Sequence, residues 1–329
     1  MTDTPHGPLP GRTGMRTKAG VTAWLGYVAA RTALAIVQIF PVSWNYRAAK
    51  LLAAGWVLLT TRHRDRAIAN LEASFGGEYS RAQIEQIAEQ CLVHWTMFAM
   101  EVVWAPRLLS STNWTRYVNL ANFDEALEIL LGGRGAILVT GHYGHFEMTG
   151  YLLGCLGFDV VAVMRPLDNV YLNRYVVESR RSHGLELLDK KGAIESSIGL
   201  VSAGRPIAFI ADQDAGSKGL FVDFFGRPAS TYKSIGLLAM RSKVPIIVGY
   251  ARRTGNRFHY EVGAPRVIHP HEWADKEDPL RWITQAYTQA IEDIVRAGPE
   301  QYLWIHRRWK SKPGARKAAR RKQRNASLS

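Results

Sequence analysis

Cysteine is scarce in this chain: 329 residues carry two, Cys91 and Cys155, each in an apolar helical context. Their spacing makes no zinc or redox motif, and two thiols make no disulfide framework, so the sequence points to a reducing compartment. No internal repeat is present, which removes arrays of stacked units. Acids are missing from residues 307–324, where ten residues are Lys or Arg against a net charge of +14 for the whole chain. Such a run reads as a solvated tail or as a tether to anionic phospholipid, each basic group near the surface contributing ~1 kcal/mol. A basic tail by itself does not argue for nucleic acid, and none is expected as a partner.

Long apolar runs are also few. Residues 21–40, VTAWLGYVAARTALAIVQIF, have the length of a bilayer-crossing helix and a single charge, Arg31. Pro41 and Trp44 follow instead of a small-residue cleavage site, so the run does not read as a secretory signal peptide. Arg31 at its centre is costly in a lone spanning helix. A tilted or interfacial helix, or a core helix, therefore stands beside the spanning one. Residues 51–59 are apolar but too short to span. Arg12, Arg16 and Lys18 on one side and Arg47 and Lys50 on the other leave the orientation unset.

The length fits one large α/β domain or two small ones, and a 47% hydrophobic content is enough for a substantial core. Residues 1–18 read as a disordered N-terminus, 19–60 as a membrane-anchor helical region, 61–310 as the α/β domain and 311–329 as a basic disordered tail. Residues 66–104 carry apolar positions every three or four residues and are expected to be helical. After Gly133 the runs shorten. Residues 136–140, 160–164, 185–188, 206–211 and 244–250 read as buried strands, with 258–262 as a further one. Helices are expected near 145–156, 169–183, 193–203 and 232–241, with 279–297 closing the domain. The alternation predicts an α/β fold with a mostly parallel central sheet flanked by helices.

Gly141-His142-Tyr143-Gly144-His145-Phe146-Glu147 follows the expected strand 136–140. Ligand chemistry in α/β folds collects where a strand turns into a helix. A histidine in that turn with a glutamate in the first helical turn makes a base and an orienting acid, which suits direct attack by a substrate hydroxyl on an activated acyl group. The H-x4-E spacing also arises by chance. His142, His145 and Glu147 can equally be counted as metal ligands, although no His-x3-His spacing or Cys pair supports a metal.

Further blocks extend the pattern: Arg165-Pro166-Leu167-Asp168-Asn169, Ile210-Ala211-Asp212-Gln213, Phe224-Phe225-Gly226-Arg227-Pro228-Ala229, and Pro299-Glu300-Gln301-Tyr302-Leu303-Trp304-Ile305-His306-Arg307-Arg308. With Asn70-Leu71 and Phe75 and the His142–Glu147 block, they make the chain resemble, over about residues 20–310, the lipid A biosynthesis acyltransferases of the lysophospholipid acyltransferase superfamily. The resemblance implies transfer of a fatty acyl chain from an acyl carrier protein thioester to a hydroxyl of a lipid A precursor, at the cytoplasmic side of the inner membrane, without cofactor or metal. It implies His142 as general base with Glu147 as its orienting partner, and Arg165, Asn169, Asp212 and Lys233 on the substrate side. Arg165 can hold a phosphate or an oxyanion, or pair with Asp168; Asp212 can orient neighbours. Lys190 and Lys191 are looser phosphate candidates, and Tyr302, Trp304 and His306 are expected to pack. Residues 232–236 and His145 depart from the family pattern. A glycerophospholipid or phosphatidylinositol mannoside acyltransferase is the alternative reading.

Overall fold

The structure, a computed structural model, describes residues 18–59, 61–189 and 193–314. The expected disordered N-terminus, most of the basic tail, Lys190 and Lys191 lie outside the described residues.

In chain order the elements are α1 (Val21–Ile39), α2 (Val42–Leu59), α3 (Thr61–Phe75), α4 (Arg81–Leu108), β1 (Val118–Ala121), α5 (Asp124–Leu131), β2 (Ile137–Thr140), α6 (Phe146–Cys155), β3 (Val160–Met164), α7 (Val170–Arg181), β4 (Leu185–Asp189), α8 (Ala193–Ser202), β5 (Ile207–Ile210), β6 (Leu220–Phe224), β7 (Arg227–Thr231), α9 (Ser234–Ser242), β8 (Ile246–Arg253), β9 (Tyr260–Ile268) and α10 (Pro279–Arg296). Seven strands form one sheet in the order β1-β9-β8-β2-β5-β3-β4, and β6 and β7 pair as a separate antiparallel hairpin. Every neighbour in the large sheet is parallel except β8 and β9. Those two are joined by a short link, residues 254–259, and a parallel pair needs a crossover longer than that. The α/β fold with a mostly parallel, helix-flanked sheet is therefore as expected.

Alternation along the strands supplies both faces of the core. Ile137, Val139, Val161, Ile207, Ile246 and Val248 pack under α9 and α10. Leu138, Val160 and Leu185 face the other way, with Met148 and Leu152 of α6. α10 begins at Pro279, with the Asp278 carboxylate accepting from the Arg281 N–H, and buries Ile283, Tyr287, Ile291 and Ile294 on one stripe.

Three departures from the expected elements have local causes. The single helical stretch over 66–104 is two helices, broken at Gly76-Gly77; α4 restarts at Ser80 through a capping box with Gln83. The strands β1 and β6–β7 and the short α5 were not expected, since each is short and lies outside the main strand–helix alternation. β9 runs to Ile268, beyond the expected 258–262.

Candidate active site

β2 and β5 are neighbours in register, Thr140 opposite Ile210, so the residues two beyond each strand end arrive side by side. β2 continues into α6 on one face of the sheet, and β5 leads on to α9 on the other. Adjacent strands whose connections part to opposite faces create a crevice at their carboxyl ends, the usual ligand site of such sheets. His142 and Asp212 occupy it.

Asp212 holds His142 twice. One carboxylate oxygen accepts from the ring at Nδ1, 2.7 Å, and the other from the backbone N–H, 2.8 Å. Gly141 permits the approach: a Cβ there would lie 3.3 Å from Asp212 Oδ2 and 3.0 Å from Ile291. Burial alone would raise the Asp212 carboxyl, but the His142 ring and its two hydrogen bonds more than offset that and hold it well below the ordinary carboxylate range. A carboxylate only accepts, so Nδ1 carries the hydrogen and the Nε2 lone pair points outward. Beside Nε2, at 3.3 Å, sits the Gln213 amide nitrogen. The His306 ring stands 4.6 Å from the His142 ring. Burial, and then His142, lower the pKa of His306 to about 4 against the opposing pull of Asp212.

His142 and Gln213 open onto a cavity of about 290 Å³ between the sheet and α6. Leu138, Ala162, Ala208, Leu152 and Val262 give it apolar walls. It follows β3 from Met164 to Val160, roughly 13 Å at ~3.3 Å of rise per residue. Its described lining contains no serine or cysteine.

Glu147 is not the partner of His142. Its carboxylate takes the Arg180 guanidinium at both oxygens, with Nε at 3.1 Å, and both residues line the cavity. Glu147 lies in the first turn of α6 and points toward α7, whereas the in-register strand β5 delivers Asp212 to the histidine. Asp212 in turn is not free to bind substrate, because both of its oxygens bond His142 and its side chain is 1% exposed. Arg165 lines the cavity and is 65% exposed, 3.4 Å from Asp168. Asn169 is a structural residue rather than a cavity residue. Its side-chain carbonyl caps α7 at Tyr171 and Leu172, and its amide donates to the Ala23 carbonyl at 2.8 Å. Lys233 is exposed at the N-cap of α9 and does not line the cavity. His145 is fully buried, its ring 5.0 Å from Phe98 and 5.3 Å from Tyr260, so His142, His145 and Glu147 do not converge. No group of three His, Cys, Asp or Glu among the described residues is arranged to hold a metal ion.

The loop is held from both sides. Gly144 has φ +55°, and a Cβ on it would lie 2.0 Å from the Ala251 carbonyl oxygen. The C-terminal block packs as expected, with Tyr302 and Trp304 buried, and also braces the site. The Leu303 N–H donates to the His142 carbonyl, the Gly144 N–H to the Gln301 carbonyl, and buried Arg308 to the Gln213 carbonyl at 3.2 Å. On the α4 side, Glu101 accepts from Tyr46, 2.5 Å, and from Arg253 at two points. Arg253 donates to His94 Nδ1, 3.1 Å, and His94 Nε2 to the Gly144 carbonyl, 3.2 Å. An arginine only donates, which fixes this tautomer of His94. Burial first and Arg253 second lower the His94 pKa to about 3. Sequence reading placed Gln213 in a block without giving it a role, and missed Arg180 and the set His94, Glu101 and Arg253; a charged pair at such separation leaves no local pattern.

A histidine held by a buried carboxylate, with its other nitrogen facing an apolar cavity at the carboxyl end of a parallel sheet, is an arrangement suited to proton transfer beside a hydrocarbon chain. The family model described as bacterial lipid A biosynthesis acyltransferase matches residues 12–311, and the chain belongs to that family of acyltransferases. It is 24% identical over 247 residues to a lipid A biosynthesis acyltransferase of Haemophilus influenzae, covering 74% of each chain. It is 24% identical over 200 residues to the lipid A biosynthesis lauroyltransferase of Escherichia coli, covering 60% of this chain and 63% of that one. A phosphatidylinositol mannoside acyltransferase of Mycolicibacterium smegmatis is 33% identical over 115 residues, 33% of this chain and 37% of that one.

Proposed function

We propose that the enzyme moves a fatty acyl chain from an acyl carrier protein thioester to a hydroxyl of a lipid A precursor, at the cytoplasmic side of the inner membrane. The observation that carries the reading is the His142 Nε2 lone pair, oriented by Asp212 and facing the apolar cavity. The acyl chain lies in the cavity, and the thioester carbonyl sits at its mouth. The acceptor hydroxyl takes the place of the Gln213 amide at Nε2. As its oxygen attacks the carbonyl carbon, its proton passes to His142. Collapse of the tetrahedral adduct breaks the C–S bond, and the leaving thiolate recovers the proton from Nε2. The Gln213 amide and the Arg165 guanidinium, both lining the cavity, are assigned as donors to the developing oxyanion. Glu147 acts by holding Arg180 at the cavity wall. The chain's net charge of +14 favours an acidic protein donor.

The identity to a phosphatidylinositol mannoside acyltransferase keeps a second acceptor class in view. Purified enzyme offered acyl–acyl carrier protein with each acceptor decides between them. In the same assay His142→Ala is expected to lose about 10²–10⁴ in turnover while keeping the wild-type melting temperature. Near-normal turnover in that variant refutes the mechanism.

A further inference from the structure

Both ends of α1 touch the same globular body. At its start, the Lys18 N–H donates to the Asp168 carbonyl, 2.8 Å, and the Val170 N–H reaches back to the Lys18 carbonyl. Asn169 bonds the Ala23 carbonyl at 2.8 Å. One turn on, Tyr27 meets Tyr171 with ring centroids 6.1 Å apart, and a turn further the Arg31 guanidinium lies 4.2 Å over the Tyr175 ring. Near its end, Val37 packs against the core cluster that includes Tyr46 and Met97, and its carbonyl takes the Asn45 amide at 2.8 Å. α1 therefore lies along α7 and then α4, instead of projecting from the domain.

A 19-residue helix is about 28 Å long, close to the ~30 Å of a hydrocarbon core. Were it to cross, its partner α7 would enter the hydrocarbon beside it, carrying Arg174, Glu178, Arg180 and Arg181. Charges at that depth are costly. The outer side of α1 is apolar and open at Trp24, Leu25, Val28 and Ile36, and α2 exposes Leu51 and Leu52 beside the basic Arg47 and Lys50, which suit a headgroup level. The one charge of α1, Arg31, sits on the α7 side over an aromatic ring, which removes it from the apolar stripe.

We infer that α1 does not span the membrane but lies flat in its interface, with the outer stripe of α1 and α2 sunk into a single leaflet of a lipid bilayer. Such burial matches the depth reached by amphipathic interfacial helices. The same seat fixes the cavity mouth relative to lipid. Asp168 receives the Lys18 N–H on its carbonyl and Arg165 on its carboxylate, so the mouth opens at the level of the headgroups, where a lipid acceptor need not leave the bilayer. The choice of a bilayer as occupant rests on the lipid-acyltransferase reading, and the test is separate from activity.

Single cysteines placed at Lys18 and Lys310, in the full chain with Cys155→Ala, are labelled with a membrane-impermeant maleimide in right-side-out and inverted inner-membrane vesicles. Flat seating predicts that both positions are labelled from the same face only. Labelling from opposite faces means that α1 crosses, and overturns the inference. A second variant, Leu25→Glu with Leu52→Glu, is expected to move the protein from the membrane pellet to the supernatant. Retention in the pellet at the wild-type level overturns it too, and points to a protein partner on that stripe. Loss of detergent-assayed acyl transfer with unchanged labelling would count against the proposed function and leave the seating intact.

Discussion

The loop around His142 and the helix pair α1–α2 differ most in where their polar and apolar groups go. At residues 142–145 the backbone is bonded to Asp212, His94, Ala251, Gln301 and Leu303, and behind it a charged pair is fully buried. In α1 and α2 many large apolar residues face outward: Val21 and Leu51 are each 76% exposed. One region removes water to fix a single geometry. The other keeps an apolar surface uncovered. A single chain thus uses burial as a jig at its site and exposure as a docking face, and the two regions answer differently to substitution.

The largest stability effect belongs to the buried pair. Glu101→Gln leaves Arg253 without its counter-charge and is expected to cost ~3–5 kcal/mol in denaturant unfolding; replacing both by apolar residues recovers much of it. Next is His94→Leu, which removes the donor to the Gly144 carbonyl and the acceptor for Arg253. Turnover should fall about tenfold, or ~1.4 kcal/mol of barrier, with KM unchanged. His94→Gln, which can both accept and donate, should restore most of it. Equal losses in the two variants would remove the loop's α4-side support from the account.

Acid should weaken the loop's surroundings before it reaches Asp212 or Glu101. His94 and His306 have folded pKa values of about 3 and about 4, and burial lowers that of His145 as well. In the unfolded chain these groups titrate near 6.5. Between about pH 6.5 and 4 the unfolded state therefore binds protons that the folded state does not, and stability falls as pH falls. Asp212 and Glu101, held low, contribute stability that is lost only below about pH 4. A melting temperature that stays flat from pH 7 to 4.5 would contradict the neutral burial of these histidines. The smallest effect belongs to the outward face: Leu51→Ser or Leu52→Ser should shift stability in detergent by no more than ~0.5 kcal/mol.

Much of this was legible in the sequence, and the division follows physics. Strand–helix alternation after Gly133 revealed the sheet, because buried parallel strands are short apolar runs. His142 was legible because a Gly-bracketed histidine at a strand end is a local pattern. Its partner was not. Glu147 is five residues away and Asp212 seventy, and only the register of β2 against β5 brings Asp212 closer. Asn169 read as a binding residue from a motif that divides, in space, into a cavity arginine and a helix cap. The same motif seats α1, which no periodicity in residues 21–40 could reveal.

The decisive measurement is the turnover of Asp212→Asn beside Glu147→Gln, with acyl–acyl carrier protein and a lipid A precursor. If Asp212 sets the His142 tautomer, its amide should lose about 10²–10⁴ in kcat with little change in KM, and the Glu147 variant should lose less. Near-normal kcat for Asp212→Asn, with Glu147→Gln inactive yet folded, would return the orienting role to Glu147 and contradict the account.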